Sequence, residues 1–237
     1  MVAQVTTTDA AAIRIAVVDD DPEERARLAY DLEDCDFKPV VIEGQFGPHI
    51  ENLVGKILDT NVMACLCDHR LNPRGMAQFE GAAVVAHLIG RKIPAVLITQ
   101  YANQDNDVSI RKWRSQIPVV VDREHFSADR LREYLGMCQR EIEGKRSPTR
   151  ISHRSIIQIE GITQRGSEEV VEAIIPQWRA HEVVTFPAST VPTALYPQLR
   201  ERKILLAHVN TGASSQEELF LERFEQAPEP ARDENLL

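Results

Sequence analysis

The most constraining feature of the chain is an apolar run near its start that ends abruptly in three carboxylates. Residues 13–18 (IRIAVV) are followed directly by Asp19, Asp20 and Asp21, and then by Pro22. A short apolar run bounded by a helix-start signal is typical of a buried parallel strand, and Asp21 with Pro22 supplies that signal. We therefore expect Asp19 and Asp20 at the carboxyl end of a strand, where open α/β sheets bind their ligands.

Carboxylates crowded at such a strand end repel one another. The repulsion is roughly 4 kcal/mol for a pair 4 Å apart at an effective dielectric of 20. A hard cation such as Mg²⁺ relieves it and prefers oxygen ligands, so the acidic turn predicts a metal site. The alternative is a solvated turn in which Asp21 only caps the helix that follows.

Three further apolar runs end in polar side chains. They end at Asp68, at Thr99 and at the pair Asp122 and Arg123. With a short strand over residues 38–42, they make five strands that alternate with segments of helical spacing. Those segments are residues 22–35, 50–58, 78–90, 103–116 and 127–142. The alternation predicts a parallel sheet covered on both faces, with the strand-end side chains at one edge.

Residues 11–143 resemble the receiver domain of bacterial two-component response regulators. The matching pieces are the acidic turn at residues 18–22 (VDDDP), the lone Asp68 after the third strand, and residues 99–102 (TQYA) after the fourth. The resemblance implies an α/β fold, the (βα)5 flavodoxin-like doubly wound parallel sheet. It also implies a signalling role without enzymatic activity of the chain's own.

The resemblance further implies a role for each strand-end residue. Asp68 would accept a phosphoryl group from a histidine kinase or another phosphodonor. The implied Mg²⁺ ligands are Asp19, Asp20, Asp68 and the backbone carbonyl of Arg70. Thr99 and Tyr101 would act as switch residues, because a phosphoryl group offers a nearby hydroxyl a charge-assisted hydrogen bond only in the modified state.

The end of the fifth strand departs from the family. Receivers have a lysine there, usually followed by proline, that pairs with the phosphoryl group, whereas this chain has Asp122, Arg123 and Glu124. Arg123 is the substitute cation for the switch, although a planar guanidinium is not equivalent to an ammonium. The family's proline after the acceptor also comes one place late, at Pro73. Two alternatives follow, a working phosphoacceptor at Asp68 or a pseudo-receiver whose switch face acts constitutively.

Beyond residue 143 the pattern of the sequence changes. Residues 144–153 have the composition of a linker, and short runs rich in β-branched residues follow between glycines and prolines. The runs are residues 155–160, 170–175, 182–186, 204–209 and 218–224. They predict a small β-rich barrel or sandwich over residues 154–226. The first domain is assigned residues 12–143, and residues 1–11 and 227–237 are predicted to be disordered tails.

Charge favours a protein partner for the second domain. The chain of 237 residues has a net charge of -9, which argues against bulk attraction to nucleic acid or anionic lipid. Trp178, Phe186 and Phe220 are its candidate contacts, unless they lie in the core. The alternative is a transcription or nucleic-acid-binding regulator acting through a basic patch, namely Arg200, Arg202 and Lys203.

Other features indicate where the protein acts. No apolar run has the length of a membrane helix and no secretory signal opens the chain, so we expect a cytoplasmic protein with no membrane partner. Cys65 and Cys67 are predicted to be buried small hydrophobes rather than metal ligands. A homodimer through the receiver face is a further predicted partner. A third functional alternative is a magnesium-dependent phosphatase that uses Asp19 and Asp21.

Overall fold

The computed structural model describes residues 12–100, 109–166, 168–200 and 203–228, and the chain divides into two compact units. The first unit comprises residues 1–100 and 119–142, and the second comprises residues 101–118 and 143–237. Each unit contains one five-stranded sheet in the described residues.

The sheet of the first unit is parallel, with the strand order β2-β1-β3-β4-β5. Its strands are β1 (Arg14–Val18), β2 (Lys38–Val41), β3 (Ala64–Asp68), β4 (Ala95–Thr99) and β5 (Val120–Asp122). Its helices are α1 (Pro22–Asp34), α2 (Ile50–Asp59), α3 (Gly81–Gly90) and α4 (Leu131–Ile142). This is the strand order of flavodoxin-like folds, and the predicted doubly wound α/β fold is confirmed.

The apolar strands are buried on both faces of this sheet. Ile15 of β1 and Leu66 of β3 lie in one core cluster with residues of α1 and α4, whereas Ala16 and Cys65, which point the other way, are equally buried. A sheet covered on both sides explains why these strands appear in the sequence as continuous apolar runs without alternation.

The predicted helix over residues 103–116 lies partly outside the described residues. In its described part, residues 109–110 end a π-helical turn, residues 111–113 form turns, and a 3₁₀ turn follows at Arg114–Gln116. Although these residues precede β5 in the chain, they belong to the second unit.

The sheet of the second unit is antiparallel, with the order β10-β9-β6-β7-β8. Its strands are β6 (His153–Arg165), β7 (Glu168–Ile175), β8 (Arg179–Pro187), β9 (Ile204–Val209) and β10 (Leu221–Gln226), and its helix is α5 (Tyr196–Arg200). The predicted β-rich character is confirmed, and the five strands form one sheet. A 3₁₀ turn at Pro148–Arg150 lies within the predicted linker.

One face of this sheet carries the core of the second unit. Ile157 and Ile159 of β6 alternate with exposed residues, as expected for a strand with one solvated face. Phe186 and Phe220 are fully buried. Trp178 packs against the same core while its Nε1 donates to the carbonyl of Ala213 at 2.9 Å. Two of the three candidate contact residues are therefore core residues.

Buried arginines hold residues 109–118 within the second unit. Arg111 and Arg114 are 4% and 7% exposed. Arg111 donates to the carbonyl of Leu219 at 3.5 Å, and Arg114 donates to the carbonyls of Glu217 at 3.3 Å and Ile117 at 2.5 Å. The segment is thus bonded to a loop about one hundred residues further along the chain.

None of the helices in the described residues combines the length and the apolar character needed to cross a bilayer.

Candidate functional site

The structure brings three predicted metal ligands together at one edge of the parallel sheet. Carboxylate oxygens of Asp19, Asp20 and Asp68 all lie within 4.8 Å of one another. The sheet register explains this proximity, because Val18 pairs with Cys67 and the two strands therefore end side by side. Asp19 is 2% exposed and Asp68 is 9% exposed, whereas Asp20 is only partly buried.

Local turns fix the orientation of these carboxylates. Oδ1 of Asp19 accepts from the backbone N–H of Asp21 at 2.9 Å, and Oδ2 of Asp68 accepts from the N–H of Arg70 at 2.7 Å. Both are hydrogen bonds from an Asp to its own chain two residues on, which the short side chain favours at the end of a strand. Asp21 itself accepts from the N–H of Glu23 at 2.9 Å and caps α1, so its role is structural.

Arg123 is inserted between the acids. Its Nη2 lies 2.6 Å from Oδ2 of Asp19 and also donates to Oδ1 of Asp68, while its Nη1 lies 2.8 Å from Oε2 of Glu24. The preceding residue, Asp122, turns away to accept from the N–H of Glu124 at 2.9 Å. The cation predicted as the lysine substitute is therefore the residue that contacts the acids.

Burial and charge shift the ionisation of these groups. Burial raises the pKa of Asp68 to about 6, assisted by the charge of Asp19 and opposed by Arg123 and the N–H of Arg70. Burial also raises the pKa of Asp19, which Arg123 counteracts. Burial alone would lower the pKa of Arg123, but its carboxylate partners raise it overall. Arg123 thus favours the ionised form of both Asp19 and Asp68.

The donor set fits a hard divalent cation. Mg²⁺ takes oxygen ligands, and carboxylates are the protein groups that supply them with charge. Asp19, Asp20 and Asp68 offer three such groups within reach of one ion. The fourth predicted ligand is the backbone carbonyl of Arg70. Arg70 lies in the same turn as Asp68, because its N–H donates to the Asp68 carboxylate.

Of the two predicted switch residues Thr99 and Tyr101, only Thr99 is among the residues that the structure describes. Thr99 is 1% exposed and ends β4, where the register sets it beside Asp122 and sets Asp68 beside Ile98. It therefore lies at the same edge of the sheet as the acids. Tyr101 lies outside the described residues.

Sequence reasoning missed three residues of this site. The N–H of Arg74 donates to Oδ2 of Asp20 at 2.6 Å, and its Nη2 lies 2.6 Å from Oδ2 of Asp21. Arg25 donates to the carbonyl of Asp19 at 2.5 Å, and Glu24 holds Arg123. A cavity of about 310 Å³ opens beside these groups. It is lined by Asp20, Pro22, Arg25, Gly44, Gln45, Arg74 and Met76. The only sequence signal for Glu24 and Arg25 was their position at the start of the helix that follows the acidic motif, and Arg74 had no such signal.

Burial makes the two cysteines of β3 chemically unreactive. Cys65 and Cys67 are completely buried in β3. Burial raises the pKa of Cys65 to about 12 and that of Cys67 well above its usual value. Since the thiolate is the metal ligand and the nucleophile, both side chains behave as small apolar groups.

No protein-family model and no curated protein matches the chain. Among solved structures, the chain is similar to NtrX from Brucella abortus, with 19% identity, a TM-score of 0.42, and coverage of 56% of this chain and 28% of that one. It is also similar to the receiver domain of the sensor histidine kinase PA1611 from Pseudomonas aeruginosa PAO1. There the identity is 19%, the TM-score is 0.42, and the coverage is 56% of this chain and 99% of that one.

The structure of the PA1611 domain has a magnesium ion coordinated in its active-site cleft. A third similar structure is the anti-anti-sigma factor PhyR from Bartonella quintana, with 17% identity, a TM-score of 0.39, and coverage of 56% of this chain and 49% of that one. The chain thus spans 28% of the length of NtrX and about half that of PhyR. The strand order β2-β1-β3-β4-β5 by itself gives the flavodoxin-like fold expected from the sequence.

Proposed function

We propose that the protein is a response-regulator-like signalling protein in which Asp68 accepts a phosphoryl group in a Mg²⁺-dependent reaction. The observation that carries the proposal is the convergence of Asp19, Asp20 and Asp68, from the ends of two adjacent parallel strands, within 4.8 Å. Among the three acids Asp68 alone comes from β3, which is the position of the phosphoacceptor in the receiver domains that the sequence resembles.

The chemistry is a nucleophilic displacement at phosphorus. An oxygen of the ionised Asp68 carboxylate forms a bond to phosphorus, while the bond from phosphorus to the donor's leaving group breaks and its electron pair departs with that group. The product is an aspartyl phosphate, which water returns to aspartate and inorganic phosphate. A divalent cation bound by Asp19, Asp20 and Asp68 supplies screening of the charge on the incoming phosphoryl group.

The signal is a contact that exists only in the modified state. A phosphoryl group adds close to two negative charges, and the buried Thr99 hydroxyl at the end of β4 is the donor for its oxygens. Arg123 is the cation for the same group. A two-state surface responds to modification only by such differential contacts.

For the second unit we propose a protein-binding role. Arg200, one member of the alternative nucleic-acid patch, pairs with Glu169 at 3.1 Å, which offsets its charge. Arg202, another member, lies outside the described residues. A histidine kinase or another phosphodonor and a protein target of the second unit are the partners that this proposal requires.

The test of the acceptor is phosphoryl uptake from a small donor. The full chain is incubated with Mg²⁺ and acetyl phosphate, and its intact mass is then measured. The variants Asp68→Asn and Asp122→Asn are treated and measured in the same way. Asp122 is a matched control, because it is also a strand-end acid, its side chain caps a turn, and asparagine caps turns as well. We expect one phosphoryl group on the wild type and on Asp122→Asn, and none on Asp68→Asn. Hydroxylamine should remove the group, because it cleaves acyl phosphates.

Absence of uptake by the wild type at saturating Mg²⁺ and donor would overturn the phosphoacceptor proposal and leave the pseudo-receiver. Uptake that survives Asp68→Asn would place the acceptor on another residue.

A further inference from the structure

Arg123 donates to one carboxylate oxygen of Asp19 and one of Asp68, two of the three acids that would hold a metal ion at this site. On Asp19, Oδ1 is held by a backbone N–H and Oδ2 by Nη2 of Arg123. On Asp68, Oδ2 is held by a backbone N–H and Oδ1 by the same Nη2. A single nitrogen thus bridges the two carboxylates that come from the ends of neighbouring strands.

A guanidinium nitrogen and a divalent ion are mutually exclusive at that point. Mg²⁺ requires its oxygen ligands at about 2.0–2.1 Å, so Asp19 and Asp68 could hold one ion only if their oxygens were free to approach it closely. The Nη2 of Arg123 already lies 2.6 Å from the Asp19 oxygen and in direct contact with the Asp68 oxygen. Like charge adds to this steric conflict, because both the ion and the guanidinium are positive.

The guanidinium also has a second anchor outside the metal ligands. Its Nη1 lies 2.8 Å from Oε2 of Glu24 in the first turn of α1, which is itself only partly exposed. Because Nη1 and Nη2 have different partners, the guanidinium can leave Asp19 and Asp68 while Nη1 keeps its contact with Glu24. Arginine suits this arrangement because its planar fork presents separate N–H groups to separate carboxylates, which an ammonium does not.

We infer that Arg123 is an internal cation that competes with Mg²⁺ for Asp19 and Asp68 and thereby sets the metal affinity of the site. This inference rests on the proposed Mg²⁺-dependent function and deepens it. In the resting protein Arg123 neutralises part of the acidic charge, and metal binding requires the guanidinium to withdraw towards Glu24. The Arg123→Gln and Arg123→Lys variants would therefore bind the metal more tightly than the native protein does.

The test is the Mg²⁺ affinity of the full-length protein, measured by calorimetric titration and by the rise of the melting temperature with Mg²⁺ concentration. The variants are Arg123→Gln, Arg123→Lys and Arg130→Gln. Arg130 is a matched control, since it is an arginine of the same unit that pairs only with Glu133 among the described salt bridges. We expect Arg123→Gln to bind Mg²⁺ about tenfold more tightly or better, because the charge-assisted hydrogen bonds of the guanidinium no longer compete for the carboxylates.

Arg123→Lys should lie between the wild type and Arg123→Gln, because it keeps the charge but loses the fork. Arg130→Gln should match the wild type, and an equal gain in that variant would mean that net charge rather than Arg123 sets the affinity. Equal or weaker Mg²⁺ binding by Arg123→Gln, with phosphoryl uptake on Asp68 retained by the wild type, would overturn this inference and leave the proposed function standing. Loss of both Mg²⁺ binding and uptake in every variant would overturn the proposed function itself.

Discussion

Gly81 lies so close to the acidic site that any larger residue there would clash with it. A Cβ at this position would lie 1.8 Å from the backbone oxygen of Asp68, and the N–H of Gly81 donates to the carbonyl of His69 at 2.7 Å. The first residue of α3 is therefore packed directly against the turn that carries the acceptor. Only glycine permits this approach, because the obstacle is backbone and cannot rotate aside.

Gly81→Ala should therefore displace α3 or the Asp68 peptide. We expect the free energy of unfolding to fall by about 1–3 kcal/mol, as in other cases of overpacking, and phosphoryl uptake to slow. Gly90→Ala at the other end of α3 is the control, since a Cβ there meets nothing within 4 Å and alanine is the better helix former. Urea unfolding of both variants checks this, and equal stability of Gly81→Ala and wild type would contradict it.

The acids were predictable from the sequence, but their neighbours were not. Alternating strands and helices place Asp19 and Asp68 at one edge whatever the details of the loops. The choice of Arg123 over Asp122 as the group facing the acids depends on the turn after β5, where Asp122 is used as a cap. The contact of Arg74 with Asp20 joins two loops 54 residues apart, and no local pattern encodes such a contact.

At the scale of the element, the segment at residues 109–118 differs most from its sequence-based expectation. The sequence predicts a helix over residues 103–116, whereas residues 111–113 form turns and Arg114–Gln116 form a 3₁₀ turn, and Arg111 and Arg114 are buried. Arg150 reinforces the segment by donating to the carbonyls of Arg114 and Ser115, each at 3.3 Å. The donor and the acceptors of these bonds are 35 and 36 residues apart in the sequence, so periodicity gave no indication of them.

Removing the Arg114 side chain should loosen this segment. Arg114→Ala leaves the carbonyls of Glu217 and Ile117 without their guanidinium donor, and a buried polar group that loses its partner costs about 1–3 kcal/mol. We expect a fall of that size in the free energy of unfolding and faster amide hydrogen exchange over residues 109–118. Lys112→Ala is the matched control, because Lys112 is exposed on the same segment and surface changes usually stay within about 0.5 kcal/mol. Exchange rates unchanged by Arg114→Ala would show that the guanidinium does not hold the segment.

At the scale of the whole molecule, the chain passes from one unit to the other and back. It leaves the first unit after residue 100, contributes residues 101–118 to the second, and returns with β5 to complete the parallel sheet. The linear boundary predicted at residue 143 follows from composition, which changes there, whereas the contacts divide the chain differently. Amino-acid composition indicates which residues form each sheet, but it does not indicate to which unit a connecting segment belongs.

This path predicts that residues 12–143 do not form an independent domain. A chain that ends at residue 143 lacks Glu217 and Leu219, whose carbonyls accept from Arg114 and Arg111. The segment lies in the chain between β4, which ends at Thr99, and β5, which directly precedes Arg123, so we expect loss of order in the segment to extend to these strands. We expect residues 12–143 to melt at a lower temperature than the first unit does in the full chain, and to show fast hydrogen exchange in β5. Calorimetry and exchange on both chains check this. A truncated chain as stable and as protected in β5 as the full one would mean that the segment serves the second unit alone and that the parallel sheet does not depend on it.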